Sequence, residues 1–138
     1  MGDQQKFNVD LDQTFMIGSD TYLTSILAGN AYGVAFEDDL EAGYFYAFRV
    51  DGEGVILDAL HIYNVKDVIF KDKPCKVNIV WTENRLIASL LINDYCHAVF
   101  DFANRAGYCR NAYPGNVGEW KQTGTRELTD ELILRIFE

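Results

Sequence analysis

The chain has 138 residues, of which 49% are hydrophobic and 14% are aromatic. This apolar content excludes a disordered chain, and the length fits one compact domain over residues 1–138. Apolar runs long enough to cross a membrane as a helix are missing, and the first residues lack the pattern of a secretory signal, so we expect a soluble, cytoplasmic protein.

The net charge of −9 is concentrated in the first half of the chain. Residues 1–69 hold twelve acidic and three basic residues, whereas residues 70–138 hold nine of each. Nucleic acid is disfavoured as a partner because the acidic half would repel phosphates. A basic protein is the natural complement, and the alternative is that the surplus carboxylates only keep the protein soluble.

The first half is predicted to form strands. Alternation of apolar and polar residues predicts a half-exposed strand over residues 7–17, followed by a short strand over residues 21–27. Residues 31–65 predict a three-stranded meander whose last and longest strand covers residues 55–65. In its first strand, small residues alternate with apolar ones, which indicates that something packs closely there or that the strand bends.

The second half is predicted to contain a β-hairpin over residues 86–102. Asn93 and Asp94 tolerate the positive φ angles of a tight turn between two apolar runs. A two-residue turn would pair Ile92 with Tyr95 and Leu90 with His97. Both faces of the hairpin are mainly apolar, so we expect its strands to be covered on two sides and not to lie at a sheet edge.

A helix is predicted at the end of the chain, after a glycine-rich stretch over residues 104–124 that is expected to be loop with a short strand around residues 108–111. Thr129 is a good N-cap, and the residues after it place one apolar stripe along the helix. The predicted fold is therefore α+β: a mainly antiparallel, strongly bent β-sheet or partly open barrel, with one C-terminal helix packed on it.

The three cysteines, Cys75, Cys96 and Cys109, are expected to be reduced thiols. Their odd number and the lack of a Cys-x-x-Cys pair fit neither a disulfide framework nor a zinc site. We predict no metal and no cofactor.

The densest acidic cluster lies in the turn over residues 37–41, and a second acidic turn follows the next strand. Together they predict a partner-binding surface made of Glu37, Asp38, Asp39, Glu41, Asp51 and Glu53. The spacing of a calcium-binding loop is absent. The remaining alternatives are a docking surface for a basic protein and a plain solvated turn.

A second candidate site is a ligand cleft that would contain both histidines of the chain. Its predicted members are Asp58, His61, Tyr63 and His97, with further tyrosines at the rim. The alternative is that each histidine is hydrogen-bonded inside a sheet. Cys96 and His97 are neighbours on a strand and should face opposite ways, which argues against a nucleophile–base pair.

Several strings resemble a family of small bacterial proteins known only as domain-of-unknown-function family 2251. These are Phe36-Glu-Asp-Asp39, Gly43-Tyr-Phe-Tyr-Ala47, Ile56-Leu-Asp-Ala-Leu-His-Ile-Tyr63, His97-Ala-Val-Phe-Asp-Phe102, Gly107-Tyr-Cys-Arg110 and Trp120. The resemblance covers roughly residues 30–120. It implies a bacterial origin, and it implies no activity and no catalytic residue.

Three functions remain open from the sequence. The first is a non-enzymatic acidic protein that binds a basic partner, in the manner of an immunity protein for a nuclease toxin. The second is a small enzyme or ligand-binding protein that uses the cleft, although known catalytic motifs are missing. The third is a homodimer that associates through an unpaired edge strand such as residues 7–17.

Overall fold

The computed structural model describes residues 7–51, 54–69, 71–112, 118–122 and 124–137. Within these ranges the chain forms nine β-strands, a 3₁₀ turn at Val65–Asp67 and one α-helix. The elements are β1 (Phe7–Phe15), β2 (Thr21–Ser25), β3 (Tyr32–Asp38), β4 (Ala42–Arg49), β5 (Ile56–Asn64), β6 (Cys75–Thr82), β7 (Ile87–Ile92), β8 (Tyr95–Asp101), β9 (Ala106–Cys109) and α1 (Asp130–Ile136).

The strands form two open antiparallel sheets. One has five strands in the order β1-β6-β7-β8-β9, and the other has four in the order β2-β3-β4-β5. The α+β prediction is confirmed, and the strands divide between two sheets that pack face to face. Aromatic residues join them: the rings of Phe45 and Phe100 stack with centroids 4.9 Å apart, and Phe15 meets Phe36 edge to face at 5.1 Å. Burial of such rings is the main favourable term in the core.

A short series of hydrogen bonds also joins the sheets. The indole Nε1–H of Trp81 on β6 donates to Ser25 Oγ on β2 at 2.9 Å. Ser25 Oγ–H in turn donates to the carboxylate of Asp10 on β1 at 2.6 Å. Trp81 and Ser25 are buried, and these bonds satisfy polar groups that would otherwise cost free energy inside the core.

The predicted hairpin is present, and its register differs from the prediction after two pairs. Asn93 and Asp94 have φ angles of 52° and 66°, and Ile92 pairs with Tyr95 as expected. Leu90 then pairs with Ala98, because a bulge in β8 leaves His97 without a partner opposite it. Strands β7 and β8 both lie inside the five-stranded sheet, which confirms that the hairpin is not an edge.

The C-terminal helix follows its predicted cap and docks on the outer face of the five-stranded sheet. Thr129 accepts the N–H of Leu132 through its side chain. The segment before the helix is tied to β9, because the N–H of Leu128 donates to the carbonyl of Cys109. The rings of Phe137 and Phe7 meet edge to face at 5.5 Å, which brings the end of the helix against β1.

Strand β1 is an edge of the five-stranded sheet, as the sequence suggested. Its pairing with β6 shifts between Val9 and Leu11, so Asp10 forms a bulge there. Charged bulges of this kind discourage pairing with another chain. In the part of the chain that the structure describes, no helix has the length and apolar character needed to span a membrane.

Candidate functional site

The outer face of the four-stranded sheet carries a row of polar aromatic side chains. Residues on this face alternate with the core residues of each strand. Cross-strand pairing places Tyr22, Glu37, Tyr44 and His61 side by side, one from each of β2, β3, β4 and β5. The four side chains come from sequence positions up to 39 residues apart, and only the register brings them together.

Small residues let large rings lie across this face. Gly33 and Ala35 occupy the outer positions of β3, and a Cβ at Gly33 would lie 2.6 Å from the ring of Phe48. The close packing that the sequence indicated is therefore made by Phe48 together with Ile26. A depression of about 610 Å³ remains over these residues, with Tyr22, Ile26, Glu37, Tyr46, Phe48 and Ile56 among those that line it.

We call this surface the tyrosine face and define it by Tyr22, Glu37, Tyr44, Tyr46 and Phe48. Tyr22 is 60% exposed and Ile26 beside it is 44% exposed. Aromatic side chains open to solvent in this way are typical of binding surfaces, since they can bury area at little cost in conformational entropy.

The tyrosine face has a negative electrostatic character. Tyr46 donates its hydroxyl to Glu37 at 2.8 Å, and its ring stacks with that of Tyr44 at 6.0 Å. Burial raises the pKa of Tyr44, and the carboxylates of Asp39, Glu37 and Glu41 raise it further. Burial and the hydrogen bond to Glu37 likewise raise the pKa of Tyr46. Both phenols stay neutral at physiological pH, so they serve as rings and hydrogen-bond donors.

The predicted acidic surface is only partly available to a partner. Glu37 lies on the tyrosine face, and Asp39 and Glu41 are exposed in the turn between β3 and β4. Asp51 is exposed as well, but it is 3.4 Å from the guanidinium of Arg49, which offsets part of its charge. Glu53 lies outside the described residues.

Asp38 is not part of a binding surface, and the prediction for this residue is wrong. Its side chain is fully buried and points to the core side of β3. It accepts the N–H of Gly18 at 2.7 Å, the N–H of Leu40 at 2.9 Å and the hydroxyl of Tyr63 at 2.6 Å. Three donors compensate the buried charge, so Asp38 fixes the turn and the start of β2.

The predicted ligand cleft does not form, because its four residues lie in different places. His61 is on the outer face of β5 beside Tyr44, at 5.4 Å between ring centroids. Asp58 and Tyr63 face the core side of β5, where Tyr63 bonds Asp38. His97 lies in the bulge of β8 in the other sheet. Two bulges in β5, at Leu57 and Ile62, also disturb the simple alternation of faces.

Asp58 forms a buried ion pair with Arg126 that the sequence did not indicate. The guanidinium Nη1 is 2.7 Å from the carboxylate, and the two side chains are 13% and 5% exposed. Burial raises the pKa of Asp58, and the hydrogen bond from Arg126 opposes that rise. Arg126 belongs to the segment that leads into α1, so the ion pair connects that segment to β5.

Cys96 and His97 lack the properties of a reactive pair. Burial raises the pKa of the Cys96 thiol to about 11. Burial and the positive charge of Arg110 lower the pKa of His97 to about 4. A catalytic thiolate needs a depressed pKa and a base that can hold a proton near neutral pH, and neither condition is met. Among the described residues, no group of three or more His, Cys, Asp or Glu side chains is arranged to hold a metal ion.

Comparison with known proteins identifies the family. A model of the family described as "Uncharacterized protein conserved in bacteria (DUF2251)" matches residues 15–137. The chain belongs to this family. The match extends beyond residues 30–120 on both sides, and it includes all four strands of the tyrosine face and helix α1.

A curated relative of the DUF2251 chain comes from Haemophilus influenzae and is named "Uncharacterized protein". It is 48% identical over 84 residues, which make up 60% of this chain. The chain matches only about half of that relative's length, 52%. No solved structure matches the chain.

The sequence does not predict that the residues of the tyrosine face lie together. It indicates that the tyrosines belong to strands, but it does not indicate that Phe48 and Ile26 share a surface with them. The signal that could have found the face is the alternation within β4, where the outer positions Tyr44, Tyr46 and Phe48 are all aromatic although they face away from the core.

Proposed function

We propose that this protein binds a basic segment of another protein through the tyrosine face. The observation that carries the proposal is the composition of that face. Exposed and half-buried aromatic rings surround Glu37, and the outward positions of β2–β5 hold no lysine or arginine among the described residues. Arginine and lysine side chains are attracted both to carboxylates and to the faces of aromatic rings.

The charges around the face support the same partner chemistry. Asp39 and Glu41 lie close enough to raise the pKa of Tyr44, so their negative potential reaches the rings. Exposed carboxylates at the rim speed association with a cationic partner, while the desolvated centre supplies most of the affinity. The surplus acids of the first half of the chain are therefore interpreted as a complement to a basic surface and not only as a solubility device.

The more specific form of this proposal is an immunity-type role. In that role the tyrosine face would cover the basic surface of a toxin, as the acidic first half of the sequence suggests. The dispersal of Asp58, His61, Tyr63 and His97 removes the support for the cleft that an enzymatic alternative would need. Association of two copies through β1 stays a prediction.

The proposal is tested by titrating the protein with a short arginine–glycine peptide at low salt. Glu37→Gln combined with Glu41→Gln should weaken binding about tenfold at ~0.01 M salt, because each exposed charge pair contributes up to about 1 kcal/mol. Tyr22→Ser should weaken it by a similar factor, since Tyr22 is exposed and its loss leaves the core intact.

The matched control is Asp12→Asn combined with Glu131→Gln. It removes the same net charge from exposed positions on β1 and α1, away from the four-stranded sheet that carries the tyrosine face. Its binding should change less than about twofold. Equal weakening by both double variants would mean that only net charge matters, and a peptide that does not bind even the unmodified protein at low salt would refute the proposal.

A further inference from the structure

A pocket with aromatic and basic walls lies at one end of the two packed sheets. Its volume is about 280 Å³. It is lined from both sheets, by residues at the start of β3, at the end of β4 and just after β8, and from the segment 118–122; these include Tyr32, Arg49, Phe102, Arg105, Glu119 and Trp120. None of them belongs to the tyrosine face, so this pocket is a separate site.

The aromatic wall of the pocket is held in place by contacts between rings. Tyr32 stacks on Phe102 with centroids 4.6 Å apart, and Trp120 meets Phe102 edge to face at 5.5 Å. The backbone N–H of Trp120 donates to the carbonyl of Leu57 at 2.9 Å, which fixes the segment 118–122 against β5. Phe102 is buried, whereas Tyr32 and Trp120 are only partly buried. Two preorganised rings therefore remain accessible to a flat ligand.

The two arginines of the pocket differ in how their charge is balanced. The guanidinium of Arg49 is 3.2 Å from Glu119 and 3.4 Å from Asp51, so two carboxylates offset its charge. Arg105 lies in the turn between β8 and β9 and is exposed. Its guanidinium forms no hydrogen bond or ion pair with the residues that the structure describes. Arg105 is therefore the cation of this pocket that can take an anionic partner.

The surroundings of Arg105 support the same assignment. Lys121 lines the adjoining depression together with Arg105 and Trp120, and it is exposed. This end of the molecule is thus locally basic in a chain whose net charge is −9. Arg105 also has a φ angle of 52°, a left-handed conformation that glycine or asparagine adopts at less cost. Backbone strain of this kind occurs often at ligand sites.

We infer that this pocket binds a small aromatic acid, a molecule with a flat ring and one anionic group. The anionic group pairs with Arg105, because a guanidinium meets a carboxylate through two parallel hydrogen bonds. The ring lies against the accessible parts of Tyr32 and Trp120. The size follows from the volume: a cavity of ~150 Å³ holds benzene, so this pocket holds one ring with a short acidic side chain.

Three probes separate the contributions of the ring and the charge. Cinnamate has both, cinnamamide has nearly the same shape without the charge, and acetate has the charge without the ring. Titrations are followed through the indole N–H signal of Trp120 and the backbone amide signal of Arg105. Cinnamate should shift both signals in a saturable way. Cinnamamide should bind about tenfold more weakly, since it loses a charge-assisted hydrogen bond, and acetate at least tenfold more weakly, since it buries no ring.

Two variants test the role of Arg105. Arg105→Asn removes the guanidinium and suits the left-handed turn, so it should stay folded in thermal unfolding and bind cinnamate about tenfold more weakly. Arg135→Gln is the matched control, because it removes the same charge from an exposed position on α1, and it should change binding less than about twofold.

Four results would overturn the inference. The first is that cinnamate does not bind, and the second is that cinnamamide or acetate binds as well as cinnamate. The third is that Arg105→Asn keeps the full affinity for cinnamate. The fourth is that Arg135→Gln weakens binding as much as Arg105→Asn, which would mean that only net charge matters.

Discussion

At the scale of single residues, the same side-chain type has opposite roles in neighbouring positions. Asp38 and Asp39 are adjacent in an acidic turn, and the sequence predicts one role for both. In the structure Asp38 is buried and accepts three hydrogen bonds, whereas Asp39 is exposed to solvent. The difference arises because strand alternation points Asp38 into the core, where Tyr63 supplies a hydroxyl. Charge-removal experiments on this turn should therefore use Glu37 and Glu41, since a change at Asp38 would affect folding.

His97 gives a prediction about pH. Its folded-state pKa of about 4 lies below the ordinary value of 6.5, so the unfolded chain binds a proton that the folded chain does not. The difference in proton binding leaves the free energy of unfolding unchanged well above pH 6.5. It lowers the free energy of unfolding progressively as the pH falls from about 6.5 to about 4. The loss attributable to His97 should reach about 3 kcal/mol in free energy of unfolding.

Denaturant unfolding of the unmodified protein and of His97→Gln across this pH window measures the effect. Other groups also titrate as the pH falls, so the informative quantity is the difference between the two curves. The stability of His97→Gln should fall less steeply between pH 6.5 and 4. Parallel curves would show that His97 titrates normally in the folded protein.

At the scale of secondary-structure elements, local patterns predict the features that short sequence signals encode. The Asn93-Asp94 turn, the Thr129 cap and the strands of the β3–β5 meander follow from turn chemistry, capping and alternation. The bulge at His97 was not predictable, because no glycine or other special residue marks it. One extra residue there shifts every later pair of the hairpin by one position.

The ion pair of Asp58 and Arg126 connects two elements that the sequence did not relate. Arg126→Met would leave Asp58 buried without its counter-charge and should lower the free energy of unfolding by about 3–5 kcal/mol. Arg49→Met is the matched control, because its ion pairs with Asp51 and Glu119 are exposed, and it should cost about 1 kcal/mol or less.

Denaturant unfolding at neutral pH compares these two variants, and Asp58→Asn in the Arg126→Met background should recover part of the loss because it removes the unpaired charge. A similar cost for Arg126→Met and Arg49→Met would contradict the account of this ion pair.

At the scale of the whole molecule, the sequence predicts the class of fold but not the partition of strands. Strand β1 pairs with β6, nearly seventy residues later in the chain, and neither strand contains a local sequence signal that indicates the other as its partner. That pairing separates the two sheets and so decides which faces are outside. The tyrosine face depends on this partition, which explains why the sequence alone does not bring its residues together. The negative charge of the first half, by contrast, follows directly from its residue types and does not depend on the fold.

The central claim is that the tyrosine face is the surface on which a basic partner binds. The most direct test maps the backbone amide shifts of the protein during titration with the arginine–glycine peptide at low salt. We predict that the shifted signals cluster on β2–β5, around Tyr22, Glu37 and Tyr44, and that the effect fades at ~0.15 M salt. Shifts that cluster on the five-stranded sheet, or that scatter over exposed carboxylates everywhere, would contradict the claim.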